Sequence, residues 1–160
     1  MAITVRQATS EDDPYIEWLG ESTALSSVSP LRAVSQADAA RSFRTLRGFC
    51  RSRPGTVVLM VESEGERAGF LILLTDVPDE VSRLDQAFIA YMAVAPQARH
   101  GGLGRALLQA AAAEADRLDL PHVSLMVTSE NVQARALYAS DGFLQERMLL
   151  TKSVPARRDG

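Results

Sequence analysis

Residues 3–8 alternate apolar and polar side chains, which predicts a short half-buried strand. Ser10-Glu11-Asp12-Asp13-Pro14 then opens a helix, because acidic residues suit its positive end and proline its first turn. Tyr15, Ile16, Trp18 and Leu19 give that helix an apolar face before Gly20, and the serine-rich residues 22–30 predict a loop. Ser35-Gln36-Ala37-Asp38 approximates a capping box for a second helix. Ala39, Phe43, Leu46 and Cys50 form its buried stripe, and Pro54-Gly55 ends it.

From there the period changes. Residues 56–61 and 69–74 are β-rich runs on either side of a polar turn containing Gly65, a hairpin signal. An acidic loop is expected over 76–85, and residues 87–94 are apolar on both faces, as in a strand covered on each side. Residues 102–118 predict the clearest helix, with Leu103, Leu107, Ala110, Ala111 and Leu118 inward. A strand over 123–128, a short helix over 131–141 capped by Gly142, and a last strand region over 143–154 complete the chain. The order β-α-α-β-β-β-α-β-α-β combines a hairpin with a parallel crossover, so the sheet is mixed.

Composition narrows the function classes. The 160 residues are 46% hydrophobic and 23% charged, ordinary for a globular chain, and one domain over 1–154 with a polar tail over 155–160 is expected. A formal charge of -3 argues against a dedicated nucleic-acid binder, which must offset phosphate charge. The single Cys50 leaves no intrachain disulfide, and His100 and His122 are too few for a zinc site, so no metal is expected. Neither a signal peptide nor a membrane-length apolar run is apparent, which predicts a cytoplasmic protein without a membrane partner.

The informative stretch is 91–105, where a covered strand enters a glycine-rich turn that leads straight into a helix. Gly101, Gly102 and Gly104 permit backbone conformations closed to other residues and leave amide N–H groups unscreened. The first helical turn has N–H groups without intrahelical partners and a partial positive charge, so the combination can cradle a phosphate or pyrophosphate. Arg99 and Arg105 add charge at the rim. Arg105-Ala106 stands where a nucleotide-triphosphate loop needs Lys-Ser/Thr, and only loose glycine content fits a dinucleotide turn. Taken alone, the glycines are equally compatible with a plain tight turn.

The stretch resembles the GNAT superfamily of N-acetyltransferases. Arg99-His100-Gly101-Gly102-Leu103-Gly104 is similar to its coenzyme A loop, Gln/Arg-x-x-Gly-x-Gly/Ala. Met92-Ala93-Val94-Ala95-Pro96 matches the strand before that loop, and Asn131, Leu137-Tyr138 and Gly142-Phe143 follow in the family's order. The resemblance implies an α/β fold with a central mixed sheet of six or seven strands and about four helices. It implies acetyl transfer from acetyl-coenzyme A to a primary amine of a small molecule or peptide by direct attack. Met92, Ala93 and Val94 would pair with the pantetheine arm, and the amides of 100–105 would hold the pyrophosphate. The Met92 amide would stabilise the oxyanion, a role worth roughly 3 to 4 kcal/mol of barrier. Asn131 would fix the pantetheine, and the Tyr138 hydroxyl would protonate the departing thiolate.

Two departures accompany the match. Phe88 and Met126 stand where related enzymes often place a glutamate base. Asp85, Glu130 and the acidic Asp76, Asp79 and Glu80 are either substitutes, acting directly or through a water, or solvated surface charges. The missing bases keep open a non-catalytic acyl-coenzyme A binding module, and a nucleotide-binding domain is a third reading. Residues 143–154 are barely long enough for the family's closing hairpin, and a single strand is equally expected; in that case an exposed edge would suit a homodimer. Tyr15, Trp18 and Phe43 are candidates for the acceptor pocket or for the core, and the acidic loop would attract a cationic acceptor.

Overall fold

The computed structural model describes residues 2–156; Met1 and residues 157–160, most of the expected polar tail, lie outside them. Among the described residues the chain forms β1 (Ile3–Gln7), α1 (Asp13–Thr23), α2 (Gln36–Arg51), β2 (Thr56–Ser63), β3 (Glu66–Pro78) and β4 (Asp85–Val94). α3 (Leu103–Arg117), β5 (Val123–Leu125) and α4 (Val132–Ser140) follow, with short 3-10 turns at Ser10–Asp12, Ala24–Ser27 and Pro96–Ala98. The sheet order is β1-β2-β3-β4-β5, antiparallel up to β4 and parallel between β4 and β5. The mixed sheet therefore stands, with five strands among the described residues where six or seven were expected.

Alternation along the strands divides the core into two layers. Met60, Phe70, Ile72 and Leu74 face α1 and α2, where they meet Ile16, Leu19 and Phe43. Leu59, Val61, Leu71 and Leu73 face the opposite way and meet Leu103, Leu107 and Ala111 of α3. The β2–β3 hairpin turns through Glu64 and Gly65, both with positive φ (53° and 81°), the pairing that matches right-handed strand twist.

Several element limits differ from the pattern reading, each for a local reason. α1 does not end at Gly20 but continues to Thr23, and the serine-rich stretch begins as a 3-10 turn. Gly20 supplies space: a Cβ there would lie 2.0 Å from the Phe43 ring. In α3 the inward set is Leu103, Leu107, Leu108, Ala111 and Ala115, while Leu118 lies at the exposed C-cap. β5 closes after Leu125 because its parallel pairing with β4 stops at Ile89. No strand forms over 143–154 among the described residues, where the chain has no regular secondary structure.

A buried ionic junction fixes the start of α1. Asp12 is fully buried, yet accepts hydrogen bonds from Arg6 at 2.7 and 3.0 Å, Arg67 Nε at 2.7 Å and the Thr9 amide at 2.8 Å. These donors, Arg6 foremost, hold its carboxyl far below the ordinary range.

Candidate functional site

The site is built around an irregularity in β4. Tyr91 pairs with Ile72 but Ile89 pairs with Leu73, so Ala90 is an extra residue, a β-bulge. Its effect is visible in the layers: Phe88, Ala90, Tyr91 and Ala93 all pack toward α1 and α2, while Ile89, Met92 and Val94 pack toward α3. Parity of side chains changes at the bulge, and just there β4 loses β5 as a neighbour.

Beyond the bulge, one edge of β4 is open. Ala95 donates its N–H to Ala68 at 2.8 Å, which makes 68/95 a hydrogen-bonded pair in the antiparallel ladder. Such pairs alternate, so 70/93 and 72/91 are bonded likewise, and Met92 and Val94 turn both N–H and C=O away from β3. Those groups face the gap that β5 has vacated. The Val94 carbonyl accepts from Arg99 Nε at 3.3 Å, which folds the arginine back along the turn.

The glycine-rich turn supplies the second part. His100 and Gly102 have φ of 66° and 83°, and Gly102 is the N-cap of α3. Here the left-handed conformation falls on a histidine as well as a glycine, which spacing alone does not reveal. The His100 ring is exposed. Ala106 donates the first α3 bond, to the Gly102 carbonyl at 3.0 Å. Among the described residues, none of the six N–H groups of 100–105 donates to a protein atom. Six adjacent unpaired donors stand at the positive end of a 15-residue helix, the chemistry an anion would complement.

Gly104 brings the remaining parts together. A Cβ on it would lie 2.8 Å from Leu137 Cδ2 and 4.0 Å from Met92 Cε, so α3 approaches both α4 and β4 at this point. Tyr138, next to Leu137, is partly buried beside Phe143, with ring centroids 5.8 Å apart. Burial raises the pKa of its hydroxyl, which therefore stays protonated at neutral pH. Asn131 caps α4, its Oδ1 accepting from the Ala134 amide at 3.3 Å. Arg105 is drawn partly out of the rim, since its Nη2 donates to Ser140 at the end of α4 at 2.8 Å.

Most of the acidic groups considered as bases are engaged elsewhere. Asp76 accepts from Arg53, while Asp79 and Glu80 pair with Arg147. The acidic loop is thus largely neutralised as an attractor of cations. Glu130 is exposed and accepts from Ser129, and Met126 is exposed while Phe88 packs in the α1–α2 layer. Phe43 is core, packed edge-on against Phe70 and Tyr91; Trp18 is half-exposed, and the Tyr15 hydroxyl is buried without a partner among the described residues. Cys50 is fully buried in α2 and its thiol pKa is raised by burial, the opposite of an activated nucleophile.

A mixed sheet whose parallel pair parts beside an amide-lined helix start defines an acetyltransferase-type α/β protein. The chain belongs to the acetyltransferase (GNAT) family, whose model matches residues 17–143. In fold it is similar to a protein from Pyrococcus furiosus assigned as an acetyl transferase, with TM-score 0.80 and 21% identity over 96% of this chain and 100% of that one. The ribosomal-protein-alanine N-acetyltransferase of Brucella melitensis superposes with TM-score 0.66 at 18% identity, covering 96% and 100% of the two chains. AAC(6')-Iy, in complex with the bisubstrate analog CoA-S-monomethyl-acetylneamine, gives TM-score 0.66 at 13% identity over 97% and 100%. No curated protein sequence matches the chain.

Proposed function

We propose that this chain is an acetyl-coenzyme A-dependent N-acetyltransferase, acting on a primary amine of a small molecule or peptide in a ternary complex. The observation that carries the reading is the pairing of two unused sets of backbone donors, those of residues 100–105 and those of Met92 and Val94. A ligand with a diphosphate at one end and an extended amide-bearing arm at the other complements both. AAC(6')-Iy, a fold neighbour, is complexed with a bisubstrate analog that contains coenzyme A.

In this reading residues 100–105 hold the diphosphate, with Arg99 and Arg105 at the rim. Met92, Ala93 and Val94 accept the pantetheine arm as a further strand, and Asn131 orients it. The Met92 N–H lies where charge develops on the thioester oxygen, and Tyr138 returns a proton to the departing sulfur. The bound thioester supplies the acetyl group; the nitrogen–carbon bond forms as the carbon–sulfur bond breaks. The amine must arrive as free base or lose its proton to water, since neither Phe88 nor Met126 can accept one. We place the protein in the cytoplasm, with residues 1–154 acting as one domain; none of the described helices is long and apolar enough to cross a membrane.

Thiol release from acetyl-coenzyme A across a panel of primary amines tests the proposal. Turnover on at least one acceptor is expected. A second reading, a non-catalytic acyl-coenzyme A binding module, is favoured by the apolar residues at both usual base positions. Tight binding with no thiol release on any acceptor would establish it instead.

A further inference from the structure

Position 47 breaks the pattern of α2. Ala39, Phe43 and Cys50 fill the buried stripe of that helix, and Arg47 lies among them only 6% exposed. A methionine or leucine would complete the stripe without desolvating a charge, so packing does not account for the arginine. Its pairing is also incomplete. Arg47 Nη2 donates to Asp13 Oδ1 at 2.7 Å, but Nε is buried with no hydrogen-bond partner among the described residues. Burial, with repulsion from Arg51 behind it, holds the Arg47 pKa below the ordinary arginine value in spite of Asp13.

Arg47 lines a cleft of about 330 Å³ between the start of α1, the end of α2, the end of β1 and the start of β2. Arg51, Arg53 and Ser10 line it too. Asp13 Oδ1 also lies 2.9 Å from Arg51 Nη2, so one carboxylate is shared by two guanidiniums and holds them side by side. Arg51 reaches Glu17 only at 3.8 Å, and Arg53 donates to Asp76 at 3.1 Å. Each guanidinium keeps further N–H donors after these contacts, and the Ser10 hydroxyl makes no hydrogen bond among the described residues. Three arginines against one lining carboxylate concentrate positive charge on a chain whose net charge is -3. The cleft is remote from the turn at 100–105. Gly102 approaches Ile3 at the start of β1, where an added Cβ would lie 3.8 Å from Ile3 Cδ1. The cleft meets Ala8 instead, roughly 17 Å further along the extended chain.

We infer that this cleft is an anion site separate from the turn at 100–105, and that it binds the phosphate group of a small molecule. A carboxylate satisfies one arginine fork, whereas a phosphate has oxygens enough to accept from Arg47, Arg51 and Arg53 together. It answers the donors that Asp13 leaves open and ties the start of α1 to the end of α2. The volume suits a small-molecule site and leaves room for a group esterified to the phosphate. The inference goes beyond acetyl transfer and does not rest on it.

Calorimetric titration of the full chain with glycerol 3-phosphate and with inorganic phosphate tests the site. Saturable binding with Kd of about 1 mM or tighter is expected for at least one of them, with acetate at least about tenfold weaker. Tighter binding of glycerol 3-phosphate assigns an ester as the occupant, and equal or tighter binding of inorganic phosphate assigns the free ion. Arg47→Met and Arg51→Gln should each weaken binding by about tenfold to a hundredfold, as expected for a charge-assisted hydrogen bond. Arg51 is half-exposed, so Arg51→Gln probes the cleft even where Arg47→Met fails to fold. Gly102→Val, which alters the turn at 100–105, should leave the affinity unchanged. Four outcomes overturn the inference: no saturable binding of either phosphate, acetate binding as tightly, indifference to the arginine variants, or loss of binding in Gly102→Val.

Discussion

Tyr138 carries the clearest expectation for a single side chain. It has no hydrogen-bond partner among the described residues, and burial keeps its proton on. Tyr138→Phe should lower kcat by about 10² to 10⁴ while coenzyme affinity, followed by fluorescence or calorimetry, stays nearly constant. Equal loss of both would make the ring a packing element. Gly102→Val should do the reverse: φ of 83° strains a β-branched residue, and the cradle amides turn with it. Coenzyme affinity should fall more than tenfold with the core intact. By pattern Asp12 is only part of an acidic helix start, whereas in the fold it anchors two arginines and an amide. Its pKa is depressed on folding, so its contribution is present above the ordinary carboxylate value near 4 and fades as pH falls toward its lower folded value. Asp12→Asn should cost about 2 to 3 kcal/mol in urea unfolding at pH 7 and progressively less in acid.

For whole elements, glycine gave the most ambiguous signal. The same residue type marks a helix end, a left-handed turn or a close approach, and only packing decides among them. Gly142, with φ of 95°, is the helix terminator the pattern implies. Gly20, interior to α1, is a contact point instead. Helix propensity alone would have Gly20→Ala raise stability by about 1 kcal/mol. The Phe43 ring, held between Phe70 and Tyr91, blocks the added methyl, so the change should lower stability by about 1 to 3 kcal/mol in chemical denaturation. Element order, both helices ahead of the first hairpin and the loop ahead of α3 were legible, because hydrophobic period and turn residues are local properties. The extent of β5 was not, since Met126 and Val127 are as apolar as Val123 and Leu125; only the departure of β4 ends the pairing. The missing closing strand escaped for a related reason: residues 143–154 have strand character, but strand character does not say which sheet receives it.

At the level of the whole molecule, ligand binding and folding are coupled. A coenzyme that engages α3, β4 and α4 together binds only the folded chain. At a hundred times its Kd it should add about 2.7 kcal/mol, or roughly 5 to 10 °C in Tm, and Gly102→Val should abolish the shift at the same concentration. The open amides of 100–105 were readable in advance because they depend on glycine and helix polarity. The gap beside β4 was unreadable because Ala90 looks like any other strand residue. That alanine has a further consequence. Removing it would not simply shorten the strand: upstream of it Phe88 would trade sides with Ile89, or downstream Tyr91 would trade with Met92. Such a chain could remain well packed and still have the gap between β4 and β5 zipped shut, so in this strand residue number matters more than residue identity.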